Sequence, residues 1–543
     1  MKKIISAIMI IVPLLMSAQS ATEAYLLTRH ELYGTARYMS MGGAFGALGG
    51  DLSAIQLNPG GIGVYRRSDV GISLNLNMQS AKTQSGSEMS ERNQTKFFIS
   101  NIGYVGTIEF NSGILPFLNY GITYNRPISY NHRYGGRMVG ITNSLTNYIA
   151  NYSNSRGYNT YDLKKYDQDI ATSWLSTMAY KASIINPKDF DEKGYGYNFM
   201  GLYNNNSSAF NEYEVIEEGG VNEFNLHIGG NISNVAYWGA SIGLNNMNFN
   251  KYSFYGETID HATVVNNANG DLSQSGTASF GLQSTLKTSG NGWNYKVGII
   301  MRPINEIRLG VSIHSPTYWT LTDNMNSSIQ YKTANSTGSY VKKGETKANG
   351  GNDYSVRYKF RSPLKFNLSA AAVLSDKSIV SLTYERVLYN NMIVKYETPS
   401  GFITDRHMSE VINSYYKGID VLRVGTEYRI IPSISVRLGY CYQSSPVIAN
   451  IMNKEFAIET SDLLPSYLFE KSTQYYTCGL GLKFGDIYSD FAYVLKTVES
   501  EYNAYSPYNA VPSYETSYKL TPAPSATVKD RNGQIVWTIG YRF

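Results

Sequence analysis

Cysteine is nearly absent from this chain of 543 residues: there are two, Cys441 and Cys478. Neither lies near the N-terminus, so no thiol stands there to carry a lipid, and a lipoprotein anchor is excluded. Charge is scarce as well, at 16% of residues, and the net charge of +5 is spread along the chain without a basic cluster. Nucleic acid is therefore not an expected partner. The six histidines, His30, His132, His227, His261, His314 and His407, are not paired at ligand spacing, and no metal or cofactor is expected. Beyond the first 20 residues no apolar run reaches about 18, which excludes transmembrane helices.

What the chain does have begins with Met1 to Ser20: a basic start at Lys2 and Lys3, an apolar run from Ile4 to Met16, and the small residues Ala18 and Ser20 spaced for cleavage. This is the pattern of a secretory leader, and its apolar run is too short to span a bilayer that needs roughly 20 residues. Tyrosine is abundant, at 47 residues. A ring that is apolar with a wet hydroxyl suits a protein with two membrane interfaces.

Alternation supplies the strand signal. In Gln534 to Phe543, the residues Ile535, Trp537, Ile539, Tyr541 and Phe543 form one bulky apolar face against Gln534, Val536, Thr538, Gly540 and Arg542. Aromatics reach the terminal carboxylate, an end that a soluble domain would leave in water. Trp537, Tyr541 and Phe543 resemble the C-terminal assembly signal of bacterial outer-membrane barrels, which the barrel-assembly machinery reads. The same period sets Leu422, Val424 and Tyr428 against Arg423, Glu427 and Arg429, and Val436 and Leu438 against Arg437. In a membrane barrel the apolar face meets lipid, so Arg308, Glu385, Arg423, Glu427, Arg429 and Arg437 are expected to face the lumen.

About fourteen such segments follow one another over residues 69–543, joined alternately by short and long connections. Short ones fall near Phe110 to Pro116, Ser233 to Val235, Pro303 to Ile304, Ser375 to Lys377, Ile431 to Pro432 and Gly485 to Asp486. Long ones fall near Ser80 to Lys96, Asn131 to Gly220, Lys251 to Ser275, Thr317 to Tyr354, Asn391 to Asn413, Gln443 to Ser472 and Thr497 to Asn532. The expectation is an all-β fold, a fourteen-stranded antiparallel transmembrane β-barrel with short turns on one side and long loops on the other. The long extracellular insertion at about 131–220 contains a stretch, Asp162 to Ile184, that suits one or two helices as a lid or as a solvated surface loop. Cys441 and Cys478 fall on neighbouring strands with opposite facing, so no disulfide is expected.

A barrel of this size is wider than one that side chains can fill and narrower than an open porin, so something must occupy the bore. Residues 21–68 are the candidate: they precede the first strand, lack alternation, and are rich in glycine and alanine. The run Gly43 to Gly50 is not a phosphate loop, because no strand precedes it. Here the sequence resembles the FadL/TodX outer-membrane transporters of hydrophobic compounds, whose N-terminal hatch carries small residues, then Asp-x-Ser-Ala, then Asn-Pro-Ala-Gly. This chain has Gly42, Gly43 and Phe45, then Asp51, Ser53 and Ala54, then Asn58, Pro59, Gly60 and Gly61, with Gly60 where the family has Ala. Strand sequences such as Leu422 to Ile430 are similar to those of its Bacteroidetes-type branch.

The resemblance implies passive uptake of a hydrophobic small molecule, long-chain fatty acid-like or aromatic, across the outer membrane of a Gram-negative cell. It further implies a hatch whose Asn58 and Pro59 hold a turn and whose Phe45 touches cargo. The implied partners are outer-membrane lipid and the hydrophobic cargo. Two alternatives stay open: an accessory barrel of a protein secretion system, whose extracellular loops bind a protein partner, and haem uptake. No enzyme is expected, since a hydrolase would need Ser, His and an acid converging on one wall, and only His227 and His314 fall within expected strands.

Overall fold

A computed structural model describes residues 20–164, 172–265, 272–335, 338–345, 354–375, 377–454, 456–508 and 520–543. Apart from Ser20, the leader expected at residues 1–20 lies outside the described residues. Fourteen strands form a closed antiparallel barrel. The first half comprises β1 (Asp69–Ser85), β2 (Glu88–Glu109), β3 (Phe117–Ser129), β4 (Ser208–Ile232), β5 (Ala236–Val265), β6 (Leu272–Met301) and β7 (Ile307–His314). The second comprises β8 (Lys365–Val373), β9 (Ser378–Val387), β10 (Ile419–Ile431), β11 (Ile434–Gln443), β12 (Tyr467–Phe484), β13 (Ile487–Asn503) and β14 (Ser525–Arg542). Closure is made by the ends of the chain: β1 pairs with β14 from Asp69↔Arg542 to Gln84↔Thr527, and Ser68 and Phe543 exchange backbone hydrogen bonds of 2.9 and 3.0 Å.

The alternation has a direct structural outcome. Along β14, Ile535, Trp537, Ile539 and Tyr541 project outward, each at least 40% exposed, whereas Val536 and Thr538 point inward and are buried. Leu244, Val297, Val311, Leu368, Leu382, Leu438 and Phe491 extend the outer apolar face around the barrel. Such a face is stable against hydrocarbon, where a charge would cost about 2–4 kcal/mol at mid-depth. Cys441 is buried and Cys478 exposed, and both are free thiols on opposite faces of the wall.

Six tight connections lie at the end where the chain enters and leaves the barrel. In the turn after β4, Ser233 and Asn234 both have positive φ, 50° and 57°, the backbone of a type I′ turn matched to the strand twist. The opposite end differs from the sequence expectation. Ser80 to Lys96 is not a loop but a continuing hairpin, paired from Ser80↔Asn93 to Ser85↔Glu88, and β5 and β6 likewise run on as paired strands through most of Lys251 to Ser275. In the β1–β2 hairpin pairing continues although both faces are largely polar, so alternation vanishes from the sequence while the strand does not; in β5 and β6 the inner face stays apolar, with Tyr255, Ile259 and Phe280 buried.

Within residues 131–220, the helices Leu145–Ser155, Thr160–Lys164 and Trp174–Lys181 and the hairpin Ile185–Phe190 with Gly196–Gly201 pack over this end. Tyr148 stacks on Tyr505 at 5.3 Å. Asp462 accepts hydrogen bonds from Ser173 Oγ and the Trp174 amide, both at 2.6 Å, which fixes the start of the third helix. Among the helix residues turned inward, Leu145, Ile149, Leu175 and Met178 are buried.

Candidate functional site: the filled bore and its cavity

Residues 20–65 lie against the inner wall of the barrel. Helix Ala21–Thr28 starts with a capping box, in which Ser20 Oγ accepts from the Glu23 amide and Glu23 accepts from the Ser20 amide. A short helix, Ala36–Ser40, is capped by Thr35. The following turn is organised by Asp51, whose carboxylate accepts from Thr35 Oγ1 (2.8 Å) and from the Ser53 amide (2.9 Å), while Ser53 Oγ accepts from the Thr35 amide (2.8 Å). Asp51 and Ser53 thus tie the two halves of the segment to each other.

Asn58 ties the segment to the wall. Its Nδ2 donates to Gly46 O (2.6 Å) and to Ile299 O (3.2 Å) on β6, and its Oδ1 accepts from the Gly60 amide (3.0 Å). Pro59 opens the 3₁₀ turn Pro59–Val64, where its missing N–H costs nothing. Wall glycines allow the backbone to come this close. A Cβ on Gly298 would collide with Asn58 Oδ1, and one on Gly239 with Pro59 O. Gly425 and Gly439 leave the same room for Met41 and Gly42. The sequence reading looked for close packing in the segment's own glycines and missed this matching set. These glycines occupy inward-facing positions on neighbouring strands, which only closure of the barrel turns into a contact surface.

Buried charges complete the attachment. Glu427 accepts from Arg37 Nε (3.0 Å) on the segment and from Arg437 Nε (2.6 Å) on β11, whose NH1 also donates to Asp490 (2.6 Å). Arg308 donates to Leu48 O (2.9 Å). Arg29 lies 3.3 Å from Glu31, which also meets Lys496 at 3.1 Å. Two of the expected residues stand apart from this set. Arg429 stands opposite Ser435, in register with inward Glu427 and Arg437, at the mouth of the wall where it is exposed. Phe45 does not reach the cavity described below: it is fully buried between Tyr38, at 5.8 Å, and the Arg37 guanidinium, at 5.3 Å.

Between the segment and β3–β10 lies a cavity of about 140 Å³. Leu27, Tyr33, Leu57, Ile128, Val221 and Trp319 supply apolar surface; Glu223, Lys296, Lys365, Glu385, Arg423 and His30 supply charge. Most of the charge is already matched. Glu223 takes both its oxygens to Lys296 Nζ at 2.9 Å and also accepts from Asn294 and Gln56. Glu385 accepts from Arg423 NH2 (2.5 Å) and His30 Nε2 (3.1 Å). Burial lowers the His30 pKa despite the Glu385 charge, and Gln443 Nε2 donates to its Nδ1 at 3.1 Å. The neutral imidazole is consistent with both contacts.

Lys365, at the head of β8, differs from these. It lines the cavity, and among the described residues its ammonium is in no ion pair or side-chain hydrogen bond, although the charges of Glu385 and Glu223 act on it from farther off. The sequence reading missed it, although Phe366 and Leu368 face outward and alternation places Lys365 inside. His314 also lines the cavity, donating from Nε2 to Leu57 O at 2.8 Å. His227 sits between Ser241 (2.6 Å) and Thr123 (2.8 Å) on the wall, hydrogen-bonded among the described residues to hydroxyls and not to a carboxylate.

No protein-family profile matches this chain, and no curated protein matches it. Solved structures do. A FadL homologue from Pseudomonas aeruginosa aligns with TM-score 0.53 at 9% identity, over 95% of this chain and 100% of that one. The toluene transporter TbuX of Ralstonia pickettii aligns with TM-score 0.46 at 14% identity, over 95% of this chain and 99% of that one. The toluene transporter TodX of Pseudomonas putida gives 0.45 at 12%, again over 95% and 99%. At these identities the likeness to the P. aeruginosa protein is one of fold.

Proposed function

We propose that the protein is an outer-membrane channel for passive uptake of a hydrophobic small molecule with an acidic end, and that residues 21–68 are its plug. The observation that carries this reading is the cavity beside the N-terminal segment, apolar on one side and presenting the unpaired Lys365 ammonium on the other. An ammonium in such a place is costly unless a counter-charge visits it. A cargo with a carboxylate and an apolar body meets both surfaces.

The cavity is also too small for the task as it stands. At about 140 Å³ it falls below the roughly 300–1,000 Å³ of pockets that hold drug-sized ligands. Passage therefore requires the segment or the overlying helices to move, which makes the barrel a gated carrier rather than an open pore. The outward apolar face supports a membrane position, and the fold likeness to a FadL homologue supports the family resemblance of Gly42 to Gly61; a place in its Bacteroidetes-type branch is proposed on strand sequences such as Leu422 to Ile430 alone. Cargo enters past the Tyr-rich end, rests beside the segment, and leaves by segment movement or sideways through the wall.

The test is mass spectrometry of small molecules extracted from the purified barrel. The expected result is an apolar acid retained by the wild type and reduced at least about tenfold in Lys365→Met. Recovery of polar solutes only, or equal retention by the variant, would overturn the assignment.

A further inference from the structure

Several exposed cations on the outer face of this barrel meet carboxylates. Lys96 pairs with Glu218 at 2.7 Å, Lys471 with Glu499 at 2.6 Å, and Arg386 with Asp420 at 2.8 Å. Lys82 and Lys529 stand directly opposite each other on β1 and β14, but Glu91 lies 3.7 Å from Lys82; a second opposed pair has no carboxylate on either lysine. Strands Tyr354–Arg361 and Ile393–Thr398, which rise above β8 and β9, pair so that Lys359 stands directly opposite Lys395. Both side chains are exposed on the outer face. Directly opposed like charges are destabilising, because their Cβ atoms are only about 4.5–5.5 Å apart.

The surroundings do not neutralise them. Lys359 lies over the Phe402 ring at 4.4 Å, a contact that fixes the ammonium without cancelling its charge. Among the described residues neither lysine has an ion pair. Arg361 and Arg357 flank Lys359 on the same face of its strand, and the one carboxylate carried by these two strands, Glu397, is 3.4 Å from Arg357. Four cations thus share one anion.

Depth identifies the partner. Arg361 is level with Tyr318, and Tyr318 is level with Trp293 on the next strand, in ring contact at 5.0 Å. Trp293, Tyr295 and Tyr318 are exposed at 50%, 50% and 39%, and Val297, Ile299 and Met301 continue below them as apolar surface. This is an interfacial aromatic girdle above a hydrocarbon-facing band. Lys359 is two residues beyond Arg361, about 7 Å farther from the hydrocarbon at the usual strand rise. That is where lipid phosphates lie.

We propose that Lys359 and Lys395, supported by Arg357 and Arg361, form a binding site for the phosphorylated headgroup of an outer-leaflet glycolipid. The site rests on the outer-membrane reading given above. A phosphate between the two ammonium groups converts their repulsion into two charge-assisted hydrogen bonds, while the acyl chains run down past Tyr318 and Trp293.

The experiment is native mass spectrometry of the full-length barrel extracted from outer-membrane fractions, titrated with diphosphorylated lipid A and with the same glycolipid lacking phosphate. The wild type is expected to bind the phosphorylated lipid at least about tenfold more tightly, and Lys359→Gln/Lys395→Gln to lose that preference while still running as a heat-modifiable barrel. Equal preference in the double variant, or in single Lys395→Gln should the double variant not fold, overturns the site. Inorganic phosphate binding as tightly as the lipid overturns the lipid as ligand. Absence of the wild-type barrel from outer-membrane fractions is a different result, which removes the membrane reading and the site with it.

Discussion

Asn58→Leu isolates the attachment of the N-terminal segment from the stability of the wall. Asn58 is 1% exposed, and its amide satisfies the Gly46 carbonyl at 2.6 Å and the Gly60 amide at 3.0 Å within the segment, besides reaching Ile299 O at 3.2 Å. Leucine satisfies none of these. Each buried group left without a partner costs about 1–3 kcal/mol, so the two in the segment together cost roughly 2–6 kcal/mol, and the branched side chain must also fit against Gly298, which has no Cβ to yield. A cost of about 3 kcal/mol raises the undocked fraction roughly 150-fold. The ladder bonds of the fourteen strands are untouched, so the loss falls on docking and not on the barrel. In planar bilayers the variant should show intermittent openings absent from the wild type, with unchanged heat-modifiability, and residues 21–65 should become sensitive to protease. A variant as closed and as protease-resistant as the wild type would refute the argument that Asn58 joins segment to wall.

Trp537→Arg places a charge on the outer face of the closing strand, where Trp537 stacks on Phe491; with a cost rising to about 2–4 kcal/mol at mid-depth, the heat-modifiable fraction in the membrane should fall, and an unchanged fraction would contradict the facing. The pH dependence of the overlying helices follows from Asp462, whose pKa is pushed up to about 6 by burial, against its hydrogen bonds from Ser173, Trp174 and Leu175 and the charge of Arg156. A raised carboxyl pKa means that docking binds a proton: the stabilisation is fully present below about pH 4, the value for a free Asp, and is lost as pH rises through about 6. Hydrogen-exchange protection of the amides of Trp174–Lys181, corrected for intrinsic rates, should therefore fall by roughly one to two orders of magnitude between pH 4 and 7, and Asp462→Asn should flatten the change. Protection that rises with pH would reverse the sign of the argument.

Where one face of a strand is apolar throughout, as from Gln534 to Phe543, the sequence reveals the strand and its facing, because lipid demands that face be apolar. Where both faces are polar, as in the hairpin around Gly86, pairing leaves no compositional trace. The site is divided in the same way. Asp51, Ser53 and Asn58 bond largely within a short stretch of chain, so a local motif marks them. Their wall partners are marked by nothing local: Gly298 and Gly239 are ordinary strand glycines until the barrel closes and brings the segment against them. The same holds for Lys365 and for Lys296 with Glu223, which come together only through curvature of the wall.

The central claim is that residues 21–68 fill a bore which would otherwise conduct. Its most direct measurement is single-channel conductance in planar bilayers of the protein lacking Ala21 to Ser68 but keeping residues 1–20 and all fourteen strands. The account predicts a folded, heat-modifiable barrel with steady conductance well above that of the intact protein. A folded deletion variant that conducts no better than the intact protein would contradict it.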